Sequence, residues 1–307
     1  MKFIQKHRSA CIVLIILLGI GLFVYPIISN YNFAQVASEG TQEFDTLMEQ
    51  IPSEELEYAW REAVSYNESL EGNPVKDPFL KGSGTVMAEN YAQVLNLRGA
   101  GAMGYITIPK IGVRLTVYHS TSEDVLQKGV GHLEGSSLPI GGIDAHSVLT
   151  GHAGLAHAKM FTDLPKLEKG DTFYLHILDQ TLAYKVDQIK VVLPEDVSDL
   201  RREAGQDYCT LITCTPLGLN THRLLVRGAR TEYVPEIEEQ QIRESNPSAQ
   251  WFTPANMLIG LGLGLVAAIV IILILVRRRK KLRERKRYWW DEIDLPAKGE
   301  MGWWSPR

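Results

Sequence analysis

TLITCTPLGLNTHRLLVRG, residues 210–228, contains two strand-like runs joined by a turn. The first run, 208–214, ends at Cys214 just before Thr215-Pro216. Proline has no N–H to give to a ladder, so the strand should stop there. The second run, 222–231, carries Arg223 and Arg227. A thiol at a strand end is open to a substrate while its backbone stays rigid. The thiolate is the nucleophilic form, and it needs a positive or proton-accepting neighbour. Attack on an amide builds an oxyanion, which a guanidinium can stabilise. Arg223 and Arg227 have the same strand parity, so both can face the thiol, and parity does not choose between them. A thiol, a histidine and an arginine together point to nucleophilic acyl transfer.

Eight histidines compete for the acid–base role. His7 lies on the N-terminal side of an apolar stretch, and His176 and His222 fall within strand-like runs, where a structural role is the expectation. His119, His132, His146 and His157 sit near turns and remain open. His152 follows the apolar run Val148-Leu149-Thr150, between Gly151 and Ala153-Gly154, a strand-to-loop exit from which an imidazole can project beside another strand end. No Cys/His spacing resembles a zinc site, and neither a metal nor another cofactor is expected.

Working outward, short β-rich runs separated by turn residues cover 104–108, 113–118, 147–150, 172–177, 182–193, 208–214 and 222–231. That density of short strands favours a barrel or sandwich. A helical interlude is expected at 158–164, and helices at 41–71, where Phe44, Leu47, Met48 and Ile51 recur at helical spacing. Ser53 is the expected cap of the second of these, which continues through Leu56, Trp60, Ala63 and Val64. Gly72-Asn73-Pro74, Asp77-Pro78-Phe79 and Gly82-Ser83-Gly84 then interrupt regular structure repeatedly.

Two stretches, 10–28 and 255–276, carry no charge, and each is near the ~20 residues a helix needs to cross a bilayer. Lys2, Lys6 and Arg8 flank the first, and Arg277-Arg278-Arg279-Lys280-Lys281 follows the second. Positive flanks place both termini in the cytoplasm and the middle of the chain outside. No small-x-small cleavage site follows the first stretch, so it reads as an uncleaved anchor. Residues 30–254 hold 18 Lys+Arg against 31 Asp+Glu, a net of −13, which argues against nucleic acid as a partner. Gly260 and Gly264 are four apart in the second stretch, a spacing that carries no dimer claim by itself. Of three cysteines, Cys11 lies in the first apolar stretch. Cys209 and Cys214 are five apart in one strand, on opposite faces and beyond bridging distance. Cys209 reads as a buried small hydrophobe.

The segments GYITIPKIGVRLTVYH (104–119), GVGHLEGSSLPIGG (129–142), HSVLTGH (146–152) and TLITCTPLGLNTHRLLVRG resemble the sortases, cell-wall transpeptidases of Gram-positive bacteria. The likeness is narrower to class C, the pilin-polymerising sortases. It implies a mainly β fold, a sortase-type closed barrel of about eight strands with short helices. It also implies Cys214 as nucleophile, His152 as general acid/base and Arg223 as the substrate- and oxyanion-stabilising residue. Class C members carry an N-terminal lid with an Asp-Pro-aromatic motif, matched by Asp77, Pro78 and Phe79. The resemblance gives Asp77 the approach to the arginine and Phe79 the cover over the cysteine. One departure lies beside the expected groove: many class C sequences read Arg-Gly-Leu-Pro after the histidine, and this chain reads Ala153-Gly154-Leu155-Ala156.

The expected division is a cytoplasmic N-terminus (1–9), a first membrane helix (10–29), an N-terminal helical region (30–71) and a lid loop (72–90). The catalytic barrel (91–234), a juxtamembrane stalk (235–254), a second membrane helix (255–276) and a cytoplasmic basic, aromatic tail (277–307) follow. The implied partners are the cell membrane and pilin subunits bearing an LPxTG-like sorting signal and an acceptor lysine. Tyr288-Trp289-Trp290 and Trp303-Trp304 in the tail fit a membrane surface, with docking to the secretion machinery as the other reading. Rival functions are a housekeeping sortase that attaches proteins to peptidoglycan and a non-enzymatic pilus-assembly scaffold. A papain-like protease fits poorly, because its nucleophile begins a helix and Cys214 ends a strand.

Overall fold

The computed structural model describes residues 8–70, 77–79, 90–99 and 101–245, with seven helical residues between 260 and 281. The expected second membrane helix, the tail, the stalk beyond 245 and the lid apart from 77–79 and 90 lie outside the described residues, those seven excepted. Residues 1–245 form one compact unit and 246–307 a second.

The first unit is built on eight strands: β1 (Ala102–Ile108), β2 (Val113–His119), β3 (Val130–His132), β4 (Ala145–Thr150), β5 (Thr172–Ile177), β6 (Gln180–Val192), β7 (Asp207–Thr215) and β8 (His222–Thr231). They close into a barrel in the order β1-β2-β3-β4-β7-β8-β6-β5. The pairs β2/β3 and β4/β7 are parallel and the others antiparallel. Closure removes the free edges that an open sheet would expose. Alternation divides β7 and β8 into two faces. Cys209, Leu211, Leu224 and Val226 join the main core with Ile106, Val117, Leu149 and Phe173. Ile212 and Leu225 form a second apolar cluster with Leu133, Val148 and Leu200. Cys214 and Arg223 have the parity of this second face.

Helix α1 (Arg8–Gln50) continues without interruption from the first apolar stretch into the region expected to begin a separate helix. Among the described residues it is the one helix long and apolar enough to cross a membrane. The second expected membrane helix lies outside the described residues, apart from isolated helical positions. The continuity has a packing cause: Phe33, Ala37, Phe44, Leu47 and Met48 repeat on one face and lie against the barrel. Helix α2 (Ser53–Ser69) buries Leu56, Ala59, Ala63 and Tyr66. Its N-cap is Pro52, and Ser53, the expected cap, makes no capping bond. Glu54 and Glu55 in the first turn complement the helix dipole instead.

Three further expectations are corrected. Strand β3 escaped notice because three residues, one of them Gly131, leave no alternation to read. The interlude at 158–164 is a series of turns followed by a 3-10 turn at Leu164–Lys166. Met160 there takes φ +43°, which no α-helix admits. Residues 235–245 are not stalk but helix α4 (Pro235–Ser245), docked on the barrel. Its Glu238 is buried and accepts hydrogen bonds from Thr107 Oγ1 (2.6 Å), His176 Nε2 (2.9 Å) and Tyr233 OH (2.9 Å).

Candidate active site

Register brings the site together. On β8, Arg223 lies directly across from Cys214 on β7. On β4, Thr150 lies beside Ile212 of β7 in parallel register, so His152 and Cys214 each sit two residues past the same rung. The two strand ends are tied to each other. Gly151 N donates to Ile212 O at 3.1 Å, and Thr213 Oγ1 donates to Gly151 O at 2.7 Å. Gly151 has to be glycine because a Cβ there would come within 2.8 Å of the buried Phe161 ring. Phe161 N in turn donates to His152 O at 3.0 Å, so the loop that carries the histidine is anchored on both sides.

The segment Asp77-Pro78-Phe79 covers this corner. Asp77 and Pro78 are buried. Arg223 Nε and Nη2 donate to Asp77 Oδ1 and Oδ2 at 2.7 and 2.8 Å, a bidentate pair whose side chains are 8% and 2% exposed. Arg223 Nη1 donates to the carbonyls of Asn220 and His222, each at 3.1 Å. Phe79 packs on the second apolar cluster. Its ring centre is 5.8 Å from that of His152 and 5.0 Å from the Arg223 guanidinium carbon. In this arrangement the guanidinium is engaged by Asp77 and two backbone carbonyls, and the aromatic ring lies near both it and the imidazole.

Cys214 is half-buried, whereas Cys209 is fully buried in the core. Burial pushes the Cys214 thiol above its ordinary pKa; Arg223 pulls it down, and Asp77 pushes it up again. Burial, with the acid as a smaller contribution, holds the thiol in its protonated, less nucleophilic form. Removing the carboxylate and exposing the thiol would leave the guanidinium to favour the thiolate.

The other histidines have structural work. His132 is fully buried against Tyr91 OH (2.9 Å) and Ser137 O (2.9 Å), and burial lowers its pKa to about 4. His146 bonds Arg201 O (2.8 Å) and Thr210 Oγ1 (2.7 Å), and His119 bonds Val94 O (2.7 Å). His176 belongs to the Glu238 network, and His222 Nδ1 meets Thr221 Oγ1 at 2.9 Å. His157 offers its carbonyl to Ser29 Oγ on α1 at 3.4 Å. Of the seven histidines among the described residues, two reach the Cys214 end of the sheet: His152, just past β4, and His222, which lies across from Thr215 on β8 with the strand parity opposite to that of Arg223. The two arginines also separate. Arg227 does share the face, but it pairs with Thr210 and is bound by Asp187 (2.7 Å) and Glu203 (3.2 Å), with its guanidinium 4.0 Å over the Tyr208 ring.

One neighbour of the site went unread in the sequence. Helix α3 (Glu123–Leu126) begins with Glu123, whose Oε1 is 3.5 Å from His152 Nε2. Ser122-Glu123 reads as a helix start, but nothing in its spacing connects it to His152.

Comparison with known proteins gives one consistent answer. A family described as a sortase domain matches residues 106–231. Sortase D of Bacillus subtilis is 31% identical over 132 residues, 42% of this chain and 64% of that protein. Sortase A of Bacillus anthracis is 30% identical over 126 residues, 41% of this chain and 58% of that protein. The match thus spans under two thirds of either curated relative. Among solved structures, sortase C of Streptococcus pneumoniae is 47% identical, covering 64% of this chain and 97% of that one, with a TM-score of 0.59. Sortase C-1 of Actinomyces oris is 47% identical, covering 57% of this chain and 98% of that one (TM-score 0.55). The pilus-related sortase C of Group B Streptococcus is 46% identical over 63% of this chain and 97% of that one (TM-score 0.59). A closed eight-stranded barrel, a cysteine and an arginine paired across two of its strands, and these likenesses lead to one assignment: the chain belongs to the sortase family, and its structural neighbours are the class C, pilin sortases.

Proposed function

We propose that the chain is a membrane-anchored cysteine transpeptidase that joins pilin subunits, with Cys214 as nucleophile, His152 as general acid and base, and Arg223 as the group that steadies the substrate carbonyl. The observation that carries this reading is the placement of Cys214 directly across from Arg223, at the sheet end where His152 also emerges. The structural neighbours support the choice of pilins, since one of them is described with its pilin substrate specificity and another as pilus-related. The helix α1 supplies an anchor of sufficient length and apolarity. The cytoplasmic termini, the second span over 255–276 and the extracellular barrel remain part of the proposal.

The chemistry runs in two halves. The Cys214 thiolate adds to the threonine carbonyl of an LPxTG-like signal, and the developing oxyanion lies toward Arg223. The C–N bond to glycine then breaks, the protonated His152 gives its proton to the departing amine, and a thioester remains on Cys214. A lysine amine of the next subunit adds to that thioester and passes its proton to His152. Cys214 leaves as thiolate and an isopeptide bond is formed. Asp77 occupies the guanidinium that the substrate carbonyl would need, so the 77–79 segment acts as a lid that has to move before either half can proceed.

The test is ligation by the full-length chain in detergent, given an LPxTG-type peptide and a second peptide with one free lysine. A product with the mass of the two peptides joined, less the released glycine fragment, is expected, and it should vanish in Cys214→Ala. Hydrolysis alone, or ligation that survives Cys214→Ala, refutes the proposal.

A further inference from the structure

His152 has to give a proton in one half of the proposed reaction and take one in the other, with different partners each time. An imidazole that can turn about its side-chain bonds cannot do both reliably, so one ring nitrogen needs a fixed partner. Nε2 of His152 is buried and makes no hydrogen bond of good geometry among the described residues. The carboxylate of Glu123 is 3.5 Å from it, within ion-pair range. That carboxylate is itself steadied by Gln127 Nε2, which donates to Oε1 at 2.6 Å from one helical turn further on. Helix α3 is fixed in turn by Leu126, which is 2% exposed. The imidazole also lies near the Phe79 ring, with centroids 5.8 Å apart and the planes tilted by 39°.

We infer that Glu123 is a positioning residue for His152. Its carboxylate holds the Nε2 edge of the ring, leaving the opposite nitrogen for proton exchange at the Cys214 end of the sheet. The inference rests on the acid–base role proposed for His152. Because the Glu123 side chain is 70% exposed, solvent screens the interaction and its effect is modest.

Glu123→Gln keeps the shape and the Gln127 contact and removes only the charge, so the fold should be undisturbed. In full-length chain with the lid opened by Asp77→Ala/Phe79→Ala, two rates are measured separately: acyl-enzyme formation from an LPxTG-type peptide, and its discharge by a lysine peptide. Both should fall about fivefold at low salt with each peptide's KM and the melting temperature unchanged, the loss shrinking as salt rises. Glu123→Asp should recover most of it. Equal rates in Glu123→Gln and its parent overturn the inference. So does a loss confined to the KM of the lysine peptide, which would make Glu123 a docking group for the incoming ammonium. A parent that forms no adduct at all removes the acyl-transfer reading and this role with it, an outcome separable from a silent Glu123→Gln.

Discussion

Replacing Asp77 with asparagine should release the thiol. The substitution preserves shape but cancels one side of a buried, bidentate ion pair with contacts of 2.7 and 2.8 Å. Breaking such a pair costs 3–5 kcal/mol when the remaining charge stays buried. Here the lower end, about 3 kcal/mol, applies, because Arg223 keeps the carbonyls of Asn220 and His222 as acceptors. Opening the segment lets water reach the guanidinium, so that cost falls on the closed state alone and shifts the balance toward open by roughly a hundredfold. The contacts of Phe79 with His152 and Arg223 are left in place and oppose complete opening. The thiol's chemistry moves the same way. Burial and Asp77 both raise the Cys214 pKa, so their removal increases the thiolate fraction near neutrality and lowers the pH at which reactivity appears.

The assay is alkylation by iodoacetamide followed by intact mass, with Cys214→Ala measuring the background. Cys209, fully buried, should contribute little. Asp77→Asn should alkylate tens to hundreds of times faster than the parent at pH 7, with its pH midpoint displaced downward. A rate within twofold of the parent, in a variant that melts normally, would show that the ion pair does not hold the segment shut.

Further predictions concern the second arginine and the C-terminal helix. Arg227→Ala loses the contacts to Asp187, Glu203 and the Tyr208 ring and should lower stability by about 1–2 kcal/mol while acylation continues. In Arg223→Ala, by contrast, the acylation rate of the lid-opened chain should drop about a hundredfold, the usual scale for one lost oxyanion donor. Parallel melting and acylation measurements separate the two. Glu238→Ala removes a buried acceptor shared by Thr107, His176 and Tyr233 and should cost about 2–3 kcal/mol in thermal melts at neutral pH. Burial pushes the Glu238 carboxyl up, but the hydrogen bonds and charge of its partners outweigh this and leave its pKa lowered from 4.5. A depressed acid stabilises above its unfolded pKa and loses that contribution as pH falls through the folded value. The gap between parent and Glu238→Ala should therefore close as pH drops below 4.5.

Strand placement was legible where one run of residues carries the whole signal. Cys214 at a strand end before Pro216, and Arg223 on the returning strand, follow from a single run of residues. The choice between Arg223 and Arg227 does not, because both share a face. Register alone sets which of them lies across from Cys214, and Arg227 is held by acids at positions 187 and 203 that only the closed barrel brings near. The histidines behave similarly: His132 and His146 look available in turn-rich sequence but are buried against partners distant along the chain. Helix α4 was mistaken for a stalk because its decisive side chain is an acid. Glu238 looks like a solvated residue until Thr107 and His176 are seen to meet it. The Glu123–His152 contact was invisible for the same reason, since it joins a four-residue helix to a loop on another strand.

The central claim, that the strand-end thiol opposite Arg223 is the acylated group, is tested most directly by the intact mass of full-length chain after mixing with an LPxTG-type peptide. Parent, Asp77→Ala/Phe79→Ala, and the latter with Cys214→Ala are compared. A thioester adduct of the peptide cut after threonine should be faint in the parent, larger in the opened variant, absent without Cys214, and located on the peptide containing residue 214 after digestion. An adduct that persists in Cys214→Ala, or none in the opened variant with its fold intact and with pilin-derived signals as well, would contradict it.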